Sequence, residues 1–274
     1  MDRFLATPDG ASLFVHEIGD GRPTVVLHGG PAAAHHYLLP ALARLPGRLV
    51  FYDQRGCGRS PVEPGAPLDF DANLRDVDRV LDDVGAADLV GYSFGGLFAM
   101  MYAARNPGRI ARLGLVSAAP PHHAFRAPFD GALAAAQSSP WVVAERAALE
   151  RSRLRDTLPD EYRRRRFALT VAGYFADPRL AYGLVPFKVH ARTADAIRDS
   201  LGEYDFRDEV ATLDGSRTLF VHGDSDPVDW RLLRATADAC GARFELLTAC
   251  GHVPYLEAAE PFFSILRAFL GDVS

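Results

Sequence analysis

The sequence predicts an α/β fold: a mostly parallel sheet of about eight strands wound with helices, carrying one helical insertion. Three observations predict it. Short continuous apolar runs alternate with helical stretches from Thr24 to Ser117. The alternation stops at Ala118-Ala119-Pro120-Pro121, and no convincing strand pattern returns before about Tyr204. It resumes at Arg217-Thr218-Leu219-Phe220-Val221-His222. The expected organisation is one core formed by residues 1–119 and 206–274, interrupted by a helical cap, or lid, at 120–205.

Each element has its own local reason. Arg3 to Thr7 and Ser12 to Ile18 alternate around Pro8-Asp9-Gly10, which reads as an antiparallel hairpin at a sheet edge. Thr24 to His28 is a continuous apolar run, the pattern of a strand buried on both faces. His35 to Leu45 reads as a helix and Arg48 to Tyr52 as the next strand. Leu74, Val77, Val80, Leu81 and Val84 recur at helical spacing and make 71–84 an amphipathic helix. A strand at 89–91, a helix at 96–104 and a strand at 109–117 follow. Within the insertion, 141–154 and 159–175 are helical. After the strand at 218–222 come a helix at 230–240, a strand at 243–247 and a closing helix at 259–270. Pro261 lies near the start of that helix, where its missing N–H costs little.

Composition narrows the class. At 48% hydrophobic and 24% charged, 274 residues supply a sizeable core. A net charge of −5 is too small and of the wrong sign to suggest a nucleic-acid partner. Arg163-Arg164-Arg165-Arg166 stands among Glu161, Tyr162 and Phe167 and reads as a solvated helix face. Cys57, Cys240 and Cys250 show no metal-ligand spacing, and their odd number points to a reducing compartment. The first ten residues lack an apolar signal core, and no run approaches the roughly 20 residues of a membrane span. A cytoplasmic protein with neither metal nor membrane partner is the expectation.

The chemistry centres on Gly91-Tyr92-Ser93-Phe94-Gly95. Strand, sharp turn and helix is the context of a Gly-x-Ser-x-Gly nucleophile elbow. Serine is a weak nucleophile and needs a base, which needs an orienting acid. Such groups gather at the carboxyl ends of parallel strands. After 218–222 comes Gly223-Asp224-Ser225-Asp226-Pro227, where Asp226 is the favoured acid and Asp224 the second choice. After 243–247 comes Cys250-Gly251-His252, which makes His252 the base. His122 and His123 stand at the entrance to the insertion, as pocket walls or plain loop residues. The oxyanion formed on attack needs N–H donors: Phe94, and Gly29 or Gly30 from the loop after 24–28. One such donor is commonly worth about 3 kcal/mol.

Gly91 to Gly96, Gly223 to Asp226 and Gly251-His252 together resemble the α/β-hydrolase superfamily. His28-Gly29-Gly30-Pro31 and Asp53-Gln54-Arg55-Gly56-Cys57-Gly58-Arg59-Ser60 narrow the likeness to the proline iminopeptidase family. The superfamily resemblance spans nearly the whole chain, the narrower one mainly the first hundred residues. It implies an α/β-hydrolase fold and a cofactor-independent serine peptidase that releases an N-terminal proline. It also implies cap carboxylates that hold the substrate's amino group. Asp195 and Glu203 are the candidates, although no cap acid lies in a matching motif. The 53–60 loop reads as charged structural support beside the site.

The expected activity is hydrolysis of a small amide or ester, on a small-molecule or short peptide substrate. A carboxylesterase or lactonase is the alternative on the same fold, and a non-catalytic ligand-binding relative the distant one. Two cap carboxylates facing Ser93 would favour an amine-bearing substrate, and an apolar lining an ester or lactone.

Overall fold

A computed structural model describes residues 1–271; the last three residues of the expected core, 272–274, lie outside the described residues. In chain order β1 (Asp2–Ala6), β2 (Ser12–Ile18) and β3 (Pro23–Leu27) are followed by α1 (Leu39–Leu42) and β4 (Arg48–Tyr52). Next come α2 (Phe70–Val84), β5 (Asp88–Tyr92), α3 (Phe94–Arg105) and β6 (Leu113–Val116). The stretch between β6 and β7 holds α4 (Arg126–Gln137), α5 (Pro140–Arg151), α6 (Leu154–Thr157), α7 (Pro159–Val171), α8 (Ala191–Leu201) and α9 (Arg207–Val210). β7 (Thr218–Gly223), α10 (Trp230–Cys240), β8 (Arg243–Leu247), α11 (Pro254–Glu257) and α12 (Ala259–Leu270) close the chain.

The eight strands form one sheet in the order β1-β2-β4-β3-β5-β6-β7-β8. β1 and β2 pair antiparallel, as do β2 and β4; every later pair is parallel. The chain thus has the expected eight-stranded, mostly parallel sheet with helices around it. Side-chain alternation divides the apolar strands between two layers. Val25, Leu27, Leu89, Leu115 and Phe220 pack in one core with Leu74, Val77 and Leu81 of α2. Val26, Val90, Val116, Leu219 and Val221 pack in a second with Phe262, Phe263 and Leu266 of α12. Burying each such side chain is worth about 1.5–3 kcal/mol, so both faces of the sheet are strongly held.

Two helical elements show why the sequence pattern works and where it fails. Asp69 caps α2 by accepting the Ala72 N–H at 2.8 Å, and Gly85 ends it at φ 81°. The stretch at 35–45, expected as one helix, is instead a 3₁₀ turn at His35–Tyr37 and the single turn of α1. Pro40 can only open a helix, and Asp53 Oδ1 holds both the His35 N–H, at 2.8 Å, and its ring, at 2.7 Å. β6 is also shorter than the expected 109–117: Arg109 closes a turn on the Asn106 carbonyl, and pairing with β5 begins only at Leu113.

Between β6 and β7 the helices make a small core of their own around Leu149, Tyr162 and Leu169. Val142, Val171, Phe175 and Leu184 join the second core beside Tyr37, Tyr92 and Tyr255. Helix α4 buries no residue fully. On α7, Arg163 pairs with Asp160, and Arg164 and Arg165 with Glu161, on an exposed face.

Candidate active site

The carboxyl ends of β3, β5, β7 and β8 meet at Ser93. Ser93 has φ 54° and ψ −123°, a conformation that costs a non-glycine residue on the order of 1–3 kcal/mol. The neighbours show what enforces it. A Cβ on Gly91 would lie 2.4 Å from the Gly95 carbonyl oxygen, and one on Gly95 would lie 2.4 Å from that of Leu27. Only glycines let β5, β3 and α3 close so tightly on this turn. The Ser93 N–H donates to Val116 and its carbonyl accepts from Gly96 and Ala119, which pins the turn to β6.

A chain of polar contacts runs inward from the hydroxyl. Ser93 Oγ is 2.9 Å from His252 Nε2, and His252 Nδ1 is 2.8 Å from Asp226 Oδ2. The Asp226 side chain has no exposed surface, and its Oδ1 accepts the Val228 N–H at 2.8 Å. Burial works to raise its pKa, yet His252, His222 and the hydrogen bonds hold it below the ordinary carboxylate range. An ionised carboxylate only accepts, so Nδ1 carries the imidazole proton and Nε2 is free to accept from Ser93. Asp224, the second choice, points elsewhere: it accepts from Ser225 Oγ and the Cys250 N–H and is exposed.

The glycine loop is tied down by His28, which is fully buried. Burial pushes its pKa down to about 4, so the ring is neutral. Its Nδ1 donates to the Gly29 carbonyl at 2.9 Å, and its Nε2 accepts the Gln54 N–H at 3.1 Å. Gly29 and Gly30, interchangeable in the sequence, separate here. Gly29 spends its N–H on Tyr37 Oη at 3.0 Å, so it is not a free donor. The N–H groups of Gly30 and Phe94 have no acceptor among the described residues. Gly30, Phe94 and Ser93 border the same cavity. The 53–60 loop is support: Asp53 accepts the His35 and Arg59 N–H groups, and buried Arg55 pairs with Asp9 and Asp76.

Two cavities flank Ser93 and His252. The smaller, about 60 Å³, is aromatic and apolar, with Tyr37, Tyr92, Phe187 and Tyr255 in its wall. The larger, about 230 Å³, is lined by Phe94, Phe129 and Val228 and by three charged side chains, Arg126, Asp130 and Arg198. Tyr174 borders both. It accepts the His252 N–H on its carbonyl at 2.6 Å and stacks on the imidazole with ring centres 5.2 Å apart. Glu257 ties the same places together, accepting N–H groups from Ala176, Gly251 and Val253.

The expected amine-binding acids are not at this site. Asp195 is exposed and pairs along α8 with Arg198, and Glu203 is exposed after that helix; neither borders a cavity at Ser93. Both acids face solvent, Asp195 from α8 and Glu203 from the turn after it, where ionised carboxylates are cheapest. His122 and His123 also stay outside these cavities, and His123 Nδ1 bonds the Tyr204 carbonyl. Arg126, Asp130, Tyr174, Arg198 and Glu257 carried no motif that would have marked them in the sequence. Among the described residues no group of three or more potential metal ligands occurs, and no helix is long and apolar enough to cross a membrane.

An AB hydrolase superfamily protein, YisY of Bacillus subtilis, is 36% identical over 126 residues, 44% of this chain and 47% of that protein. A proline iminopeptidase of Saccharolobus solfataricus is 39% identical over 92 residues, 31% of this chain and 29% of its own. The chain's matches thus span less than half the length of these curated relatives. The solved proline iminopeptidase-related protein of Thermus thermophilus superposes over 98% of both chains, with a TM-score of 0.72 and 25% identity. The family model described as alpha/beta hydrolase fold matches residues 23–259. A match of that length, on a sheet and serine turn of this form, shows that the chain belongs to the α/β-hydrolase superfamily.

Proposed function

We propose that this protein is a serine hydrolase working through an acyl-enzyme. The observation that carries the reading is the contact chain Ser93 Oγ, His252 Nε2, His252 Nδ1, Asp226 Oδ2, at 2.9 and 2.8 Å. Ser93 Oγ attacks the substrate carbonyl carbon while its proton passes to His252 Nε2. Asp226 keeps the imidazole in the accepting tautomer and stabilises the imidazolium that forms. The tetrahedral oxyanion takes hydrogen bonds from the Gly30 and Phe94 N–H groups. Collapse breaks the bond to the leaving group, which receives the proton from His252. A water then gives its proton to His252 and attacks the acyl carbon. Ser93 leaves with that proton and the free acid departs.

Within this reaction class an ester or lactone is favoured over an N-terminal proline amide. A buried ammonium needs carboxylates. The larger cavity has one, Asp130, against two guanidiniums, and the smaller has none. The iminopeptidase relatives favour the peptidase reading. A side-by-side assay of a proline arylamide and short p-nitrophenyl esters separates the two. Ester turnover without arylamide release is expected, and the reverse would restore the aminopeptidase. The reaction class is tested by Ser93→Ala: undiminished turnover of the best substrate by that variant would refute it.

A further inference from the structure

The larger cavity holds a charge pattern that the hydrolytic step does not use. Arg126 and Arg198 both border it, although they come from different helices, α4 and α8. Arg126 has no ion pair and no side-chain hydrogen bond among the described residues. Arg198 reaches Asp195 with Nη1 at 3.3 Å, but its Nε is buried without any acceptor. Asp130 lies one turn after Arg126, yet the two make no ion pair within 4 Å. Two guanidiniums, one of them also paired with Asp195, which does not border the cavity, stand against one carboxylate in this wall beside Ser93. A buried Nε without an acceptor is a donor waiting for one. A planar carboxylate supplies it, since its two oxygens match the N–H pair along one edge of the guanidinium.

We propose that the 230 Å³ cavity beside Ser93 selects substrates carrying a carboxylate, which is held by Arg198 and Arg126 while the scissile carbonyl sits at Ser93. This rests on the serine-hydrolase reading above and narrows its substrate class to acid-bearing esters or lactones. Neutral parts of the substrate fall against Phe94, Phe129 and Val228. Asp130 opposes the anion and limits how strongly it is held. The smaller aromatic cavity takes the uncharged end.

The test follows the rate at which a fluorophosphonate labels Ser93, with and without a small competitor. Glutarate monoamide carries one carboxylate; glutaramide is its neutral match. The monoamide is expected to protect Ser93 at a concentration about tenfold lower than the diamide does, the advantage of one charge-assisted bidentate contact. That advantage disappears in the Arg126→Gln/Arg198→Gln double variant, survives in part in Arg198→Lys, and grows in Asp130→Asn. Equal protection by the two compounds, or by neither, overturns the proposal while the labelled serine leaves the hydrolase reading intact. An advantage that persists in the double variant overturns it as well. No labelling at Ser93 overturns both readings.

Discussion

The sheet ends and the helical segment at 120–205 solve different problems with different materials. At the sheet ends every functional atom is held from several sides. Asp226 is buried beneath His252 and Val228, and Ser93 is pinned to β6 through its own backbone. In the segment above, α4 has no buried residue, and the charges of α7 and α8 pair along their own helices. Geometry that must be accurate to a few tenths of an ångström is built on buried strands. The charged side chains of the larger cavity are carried on helices α4 and α8. The contrast predicts that bond cleavage depends on the first region and choice of substrate on the second.

The largest effects should fall in the sheet-end group. His252→Ala should lower kcat by about 10⁶-fold and Asp226→Asn by about 10⁴-fold, with the fold kept, as single-turnover kinetics and circular dichroism would report. An Asp226→Asn loss below tenfold would break the comparison. On stability, Phe262→Ala in the second core should cost about 3–5 kcal/mol in urea unfolding. Val143→Ala on α5, half-exposed, should stay within about 0.5 kcal/mol. Equal costs would remove the distinction between a rigid base and a lightly held segment.

A smaller effect concerns the loop beneath the glycines. Burial opposes ionisation of Asp53, but the hydrogen bond from the His35 ring, the nearby His28 ring and the Arg59 N–H outweigh it and hold its pKa down to about 2. The folded value is below the unfolded one, so this carboxylate contributes stability that is complete above pH 4. That contribution is lost as pH falls from about 4 through 2, and amounts to about 2 kcal/mol. Asp53→Asn should remove it at neutral pH and flatten the acid limb of the stability curve in that window. The smallest effects should come from Asp195→Asn and Glu203→Gln, which should change kcat/KM by less than about twofold on a neutral ester. A tenfold loss in either would return those acids to the site.

What was legible in the sequence follows the same division. Strands such as Thr24 to Leu27 are buried on both faces, so apolar runs mark them without help from the rest of the chain. Ser93, Asp226 and His252 stand just past strand ends, and the parallel sheet brings strand ends together. Position along the chain was therefore enough to nominate them. Gly29 and Gly30 could not be separated, because the Tyr37 hydroxyl that occupies the Gly29 N–H arrives from another element. Asp195, on α8, does not border the cavities at Ser93 for a related reason. Which way a helix faces depends on where the whole segment lands, and no local pattern records that. Arg126 and Arg198 lie far apart in the chain and meet only at the cavity. The break at Pro40 was missed in reading 35–45 as one helix, although proline opens helices more easily than it continues them.

The central claim is that Ser93 is the nucleophile and that His252 activates it. The direct measurement is peptide mapping by mass spectrometry after reaction with a fluorophosphonate. One adduct is expected, on the peptide holding Ser93, forming at least about a hundredfold more slowly in His252→Ala. An adduct on any other residue, or none on a protein that still hydrolyses esters, would contradict the account.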